Sequence, residues 1–206
     1  MTHIDISMPL APGIVHWPGE EGFQRTEKDA GEAIVSSVQF GSHTGTHIDA
    51  PKHFVRDGGS LDNLALDALI GDCMVAEITH AGQITEDDIV ALPKGITRVI
   101  FKTSNTERGL LEKPDFEIDF VSLDESAAQA AVAAGLQLIG VDYLSVEKKG
   151  AVGHPVHNTL LQNSIIAIEG CWLKDVVPGE YHLTALPLRI TDGDASPARV
   201  VLTTKE

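Results

Sequence analysis

Apolar residues in this chain fall in short runs separated by polar, Gly- and Pro-rich breaks, and the period changes from run to run. Residues 3–8 alternate apolar and polar, which predicts a half-buried strand whose successive side chains face opposite ways. Residues 9–22 carry three prolines and three glycines and read as loop. Residues 33–40 are rich in β-branched and apolar side chains and predict a strand running into the segment that follows. Residues 62–69 read as a short helix. Thr85, followed by Glu86, Asp87 and Asp88, marks a capped helix start with an acidic first turn, and that helix stops before Pro93. Residues 122–134 open on Ser122 and acidic side chains, turn alanine-rich and end at Gly135, which predicts the clearest helix of the chain. Runs at 73–78, 98–102, 136–141 and 165–169 predict further strands, and 198–203 the last. Strands interleaved with short helices, and no repeat or linker, point to one α/β or α+β domain over 1–206 with a sizeable sheet.

Composition narrows the function classes. With 43% apolar and 22% charged residues in 206, the chain has the balance of a globular protein. No run of about 18 apolar residues is present for a membrane span. The first residues lack a basic stretch followed by an apolar one, so the cytoplasm is the expected compartment. A net charge of −15 disfavours nucleic acid, whose binding relies on basic surfaces. Two cysteines, Cys73 and Cys171, are too few for a disulfide framework and read as small buried residues.

The candidate chemistry is concentrated in one stretch. His43-Thr44-Gly45-Thr46-His47-Ile48-Asp49-Ala50-Pro51-Lys52-His53-Phe54 places three histidines and an aspartate inside eleven residues. Neutral imidazoles with a carboxylate are the donors that zinc, manganese or iron(II) take. Gly45, two threonines, Ile48 and Pro51 argue against a helix here. In an extended strand His43, His47 and Asp49 would share one face, with Gly45 leaving room for an ion. His53 lies beyond Pro51, where a bend would return it over the ion as a proton carrier, a further ligand or a packing partner of Phe54. Elsewhere, Glu169 ends the apolar run 164–168 and needs a cation or a basic partner if that strand is buried. His157 and His154 are competing candidates near it. Asp142 is a candidate for orienting a ligand, and Lys148-Lys149 reads as a solvated loop.

The pattern His-x-Gly-Thr-His-x-Asp-Ala-Pro-x-His-Phe resembles the metal-dependent cyclase family, which includes bacterial kynurenine formamidases and isatin hydrolases. Trp17-Pro18-Gly19, Gly140-x-Asp142-x-x-Ser145, the pair His157 and Glu169, and the closing Asp192-Gly193 with 196–200 resemble further family elements in the expected order. The resemblance implies an α/β fold, a swivelling β/β/α-type single domain with a mixed sheet core, assembled as a homodimer or larger homo-oligomer. It implies one or two zinc ions, with manganese as the alternative. His43, His47 and Asp49 would hold the first ion, and Asp49, His157 and Glu169 a second. His53 would be the catalytic acid/base, and Trp17 would line the substrate pocket of its own or a neighbouring subunit.

The implied reaction is hydrolysis of a small amide or cyclic amide, with a small molecule as the only partner. His53 would take a proton from the attacking water and return it to the leaving nitrogen. Thr46, Ile48 and Glu20 stand where many kynurenine formamidases carry other residues, so isatin or another aryl amide or lactam stays open as substrate. A metal-dependent lyase or dehydratase and a non-catalytic metal-binding protein are the other classes compatible with these donors. A structural zinc site would usually be closed by four ligands and often use cysteine, which these residues do not offer.

Overall fold

A computed structural model describes residues 1–205. Among these residues ten strands and five short α-helices are formed. The strands are β1 (His3–Asp5), β2 (Gln24–Asp29), β3 (Ile34–Gln39), β4 (His47–Asp49), β5 (Ile70–Glu77), β6 (Arg98–Lys102), β7 (Leu138–Val141), β8 (Ile166–Glu169), β9 (Gly179–Pro187) and β10 (Ala195–Thr204). The helices are α1 (Leu66–Leu69), α2 (Glu86–Val90), α3 (Ser104–Glu107), α4 (Glu125–Ala134) and α5 (Pro155–Gln162).

Eight strands lie in the order β1-β10-β4-β8-β7-β6-β5-β9, and β9 also pairs with β10. That last pairing closes β4 to β10 into a seven-stranded barrel, with β1 added on the edge of β10 beyond β4. β5, β6, β7 and β8 run parallel; every other pairing of the barrel is antiparallel. Ile48, Val75, Ile100, Leu138, Ile168, Leu183 and Val200 form the buried barrel interior. The alternate residues Val99, Phe101, Ile139, Val141 and Ala167 face outwards and are buried in turn under α2, α4 and α5. Burial on both faces is why β6, β7 and β8 read as unbroken apolar runs rather than as alternating strands.

The pattern along the sequence locates most elements, with instructive departures. The helix at 122–134 is shorter: Asp124 is its cap, accepting from Ala127 N at 2.9 Å, while Leu123 is extended and bridges to Ile84 and Glu147. Residues 62–69 are not one helix but a 3₁₀ turn, Leu61–Asn63, and the four-residue α1. The strand expected at 33–40 does not join the sheet that carries the histidines. It is β3, which pairs only with the polar β2 as a hairpin exposed on both faces. The sequence pattern assigns nothing at 179–187, where β9 closes the barrel with Tyr181, Leu183 and Ala185 turned inwards. That alternation is present in the sequence but is diluted by His182 and Thr184 and by exposed ends. No helix among the described residues is long and apolar enough to cross a membrane. Cys73 and Cys171 are free and buried in the barrel interior, where burial pushes both thiols up, that of Cys73 to about 12.

Candidate metal centre

β4 and β8 are adjacent and antiparallel, and their register sets His47 directly opposite Glu169. Side chains opposite one another emerge on the same face, so two residues 122 positions apart meet without either strand bending. Asp49 lies two residues along β4 and shares that face.

The route from His43 to His47 is not the extended strand the spacing suggests. Residues 43–46 form a turn, and only His47–Asp49 is strand. Gly45 sits at φ +68°, and a Cβ there would come within 2.5 Å of Leu10. Its glycine therefore serves the turn and the close approach of Leu10, not space for an ion. Thr46 locks the turn: its hydroxyl donates to Gly170 O at 2.6 Å and accepts from Met8 N at 2.7 Å. The result swings His43 back over the end of β4, with Nδ1 3.0 Å from Asp49 Oδ1.

His53 arrives by the bend expected at Pro51, a single 3₁₀ turn over Pro51–His53. Its ring lies 4.0 Å, centroid to centroid, from that of His43. His157 is not a surface or capping residue. It stands in the first turn of α5, 6% exposed, with Phe54 stacked 4.4 Å from its ring. Its Nε2 is 3.3 Å from Glu169 Oε1 and 3.9 Å from Asp49 Oδ2.

Each of His43, His47 and His157 has one ring nitrogen engaged away from the centre and the other turned inwards. His43 Nε2 meets Asp194 Oδ2 at 3.0 Å, His47 Nδ1 meets Gly45 O at 2.9 Å, and His157 Nδ1 meets Glu147 Oε2 at 2.9 Å. In the neutral imidazoles these outer contacts hold the N–H, which leaves lone pairs facing Asp49 and Glu169. Lone pairs against carboxylates at 3.0 to 3.6 Å repel unless a cation or a proton lies between them. His47 Nε2 and both Asp49 oxygens are buried with no hydrogen bond of proper geometry, although His43 Nδ1 is close to Oδ1. Orphaned buried donors of this kind, nitrogen and carboxylate together, fit a divalent ion of the zinc or manganese class.

The charges show the same demand. Burial alone would lower the His43 imidazole, but the close contact and charge of Asp49, with Glu169 and Asp194, raise it to about 10. His157 is likewise lowered by burial and raised to about 10 by Glu147, Glu169 and Asp49. Burial would raise Glu169, and the imidazoles of His157 and His47 hold it well below the usual carboxylate range. Without a metal, protons supply the positive charge that two buried carboxylates require. His53 moves the other way: burial lowers it, and its nearest acid, Asp194, is 4.0 Å off.

His47 groups with Asp49 and Glu169, whereas His43 groups with Asp49 and His53. Glu147, which the sequence reading passes over, forms a third group with His154 and His157. Glu147 and Asp194 are flanked by no histidine pattern, so only the fold brings them to the site. Asp142 is placed apart from the donors. It accepts from Thr103 N at 2.7 Å, Thr106 Oγ1 at 2.6 Å and Asn105 Nδ2 at 3.2 Å, and so ties the start of α3 to the end of β7.

A cleft enclosing about 590 Å³, open mouth included, leads to these side chains. Trp17, Glu20, Phe54 and Leu144 line it above His43, His53, His157 and Glu169, and Lys148 and Lys149 stand at its edge. Trp17 lines the cleft of its own chain, braced edge-on by Phe116 at 5.0 Å. The two lysines are exposed, as a solvated loop would be, yet they border the cleft.

The family model described as “Putative cyclase” matches residues 4–148. The chain belongs to the cyclase family. Over 98% of its length it is 34% identical to a kynurenine formamidase of Salinibacter ruber, covering 97% of that protein. A solved structure described as a predicted metal-dependent hydrolase from Bacillus stearothermophilus superposes with a TM-score of 0.84 at 34% identity, covering 98% of this chain and 97% of that one. Isatin hydrolase A of Ralstonia solanacearum shares the cyclase fold, with a TM-score of 0.82 at 21% identity over 98% of this chain and 91% of its own.

Proposed function

We propose that this cyclase-family chain is a metal-dependent hydrolase of small aryl amides, with an arylformamide of the N-formylkynurenine type as the leading substrate and an isatin-like lactam as the second. The observation that carries the reading is the set of inward-facing, unbonded donors of His47 and Asp49, which lie against Glu169 and His43 in the lining of a cleft walled by Trp17 and Phe54. Kinship over nearly the whole chain with a kynurenine formamidase supports the formamide as the first choice.

In this reading His43, His47, Asp49, His157 and Glu169 hold one or two zinc ions, with manganese as the alternative. A cation held there supplies a Lewis acid for the substrate carbonyl and lowers the pKa of a water to about 7. The protein does the rest. Trp17 and Phe54 offer flat apolar walls to an aryl ring and exclude water. His53 has no acid closer than 4.0 Å, whereas each of the three ligand imidazoles is tied to an oxygen within about 3 Å. Untied, and lowered by burial, His53 is neutral at neutral pH and free to accept a proton from the attacking water at one ring nitrogen. It then returns that proton to the departing amine.

The working form is a homodimer or larger homo-oligomer in the cytoplasm. Self-association is supported by the hairpin β2–β3, which projects Ile34, Val35 and Val38 at 68%, 56% and 53% exposure. A lone hairpin is marginal in water, so a covering surface is required for it to persist.

The test is His53→Ala. Metal content by elemental analysis should match the parent, and kcat on a formanilide should fall by roughly 10²–10⁴-fold, the usual worth of a positioned acid/base. Turnover near that of the parent would remove His53 from the role. No turnover of formanilides, isatin or simple esters by the metal-loaded parent would favour a lyase or a binding protein.

A further inference from the structure

Glu147 is a buried carboxylate, 2% exposed, in a loop that neither the histidine pattern nor the proposed ligand set includes. Three donors surround it. Val156 N donates to Oε1 at 2.7 Å, and His157 Nδ1 and His154 Nδ1 lie 2.9 Å and 3.1 Å from Oε2. Its own backbone N–H is held by Ser145 Oγ at 3.1 Å, so the loop fixes where the carboxylate points.

Burying a carboxylate is costly unless its lone pairs are used, and here every contact involves α5 or the residue that precedes it. Two consequences follow for His157. The Val156 hydrogen bond pins the first turn of the helix on which the ring is mounted. The Oε2 contact requires a proton on Nδ1, which leaves Nε2 as a lone pair aimed at Glu169 and Asp49.

We propose that Glu147 is the positioning residue of the metal centre: it fixes the tautomer and the orientation of His157, and through them the affinity of the site for its ion. The inference rests on the reading of His157 as a ligand. Carboxylates behind ligating imidazoles do this by holding the ring and raising its basicity, and their loss costs about 10–100-fold in metal affinity.

Glu147→Gln discriminates sharply because glutamine keeps the shape but has a single acceptor oxygen. With that oxygen turned to Val156 N, its NH2 faces His157 Nδ1. The ring must then accept at Nδ1 and carry its proton on Nε2, where the ion would bind.

The experiment is chelator competition for zinc on the full chain and on Glu147→Gln, His154→Ala and His157→Ala, with the melting temperature of each metal-free form alongside. The expected result is a loss of about 10–100-fold in affinity for Glu147→Gln, with His154→Ala unchanged and His157→Ala weakened at least as much. Unchanged affinity in Glu147→Gln, or an equal loss in His154→Ala, overturns the inference while leaving His157 a ligand. Unchanged affinity in His157→Ala overturns the ligand reading itself and the inference with it. A lower melting temperature with unaltered affinity would make Glu147 merely structural, and so also overturns it. Ring-nitrogen NMR of the zinc-loaded parent keeps the inference falsifiable even if Glu147→Gln fails to fold. A His157 Nδ1 proton protected from solvent exchange by the Glu147 carboxylate supports the inference; a proton on Nε2, or an Nδ1 proton in fast exchange with water, refutes it.

Discussion

At Asp49 both carboxylate oxygens are buried and receive no hydrogen bond of proper geometry, while Glu169 at least accepts from Val146 N at 2.7 Å. A carboxylate so placed depends on positive charge. In the metal-free chain that charge is carried by His43 and His157, both raised to about 10. Ligating imidazoles must be neutral, so metal uptake at neutral pH should release protons. The sign is that affinity rises with pH as the imidazoles surrender their protons. Calorimetry in two buffers of different ionisation enthalpy should show net release, and a heat independent of the buffer would count against it. Asp49→Asn removes the charge at constant shape; elemental analysis should then find little or no bound metal, with the far-ultraviolet circular dichroism retained. At this scale much was legible: a histidine, an aspartate and a further histidine at close spacing announce metal chemistry whatever the fold. Glu147 and Asp194 were not legible, because a single acid in a loop has no chemistry until something is set against it.

The elements that carry the donors are short, and their junctions matter more than their lengths. Spacing alone suggested an extended strand through His43, and a strand would have kept the two histidines about 13 Å apart, at roughly 3.3 Å per residue. The turn at Gly45 folds that distance away, bringing the two ring centroids to 5.1 Å. Gly170, the residue after Glu169, is the matching device on β8. It sits at φ +72°, and a Cβ there would lie 2.7 Å from Gly45 O. Two glycines thus let the ends of β4 and β8 approach backbone to backbone, and Thr46 ties them with a hydrogen bond. Gly170→Ala should cost about 1–3 kcal/mol, from left-handed strain with the close contact added, read as a lowered midpoint in urea at unchanged slope. A midpoint equal to the parent would show that the approach is not tight. Helix α2 gave itself away by its cap, Thr85, and α4 by its acidic start, alanine run and closing Gly135, since these signals are local chemistry. Strand β9 did not, because its inward face makes sense only against strands that are far away in sequence.

For the molecule as a whole, closure of the barrel decides the site. β4 lies between β8 and β10, and α5 packs over the same outer face. His47, Glu169 and His157 therefore converge from three elements, and Asp194, just before β10, closes on His43 from a fourth. The hairpin β2–β3 pairs outside the barrel's sheet and leaves Ile34, Val35 and Val38 exposed. If it is covered by a second copy, Val38→Lys should shift the molecular mass measured by light scattering from oligomer towards monomer, with no loss of β9–β10 closure. A parent that is monomeric at micromolar concentration, or a variant of unchanged mass, would refute that role. Residue chemistry and short-range period were enough to establish the helices α2 and α4, the doubly buried strands β6 to β8 and the donor types of a metal centre, because each rests on neighbours in the chain. Which donors meet, which imidazole nitrogen faces inwards and which histidine stays free to move a proton were decided by strand register and helix docking. The contacts of His47 with Glu169, of His157 with Asp49 and of His43 with Asp194 join residues more than a hundred positions apart, and no local pattern encodes them.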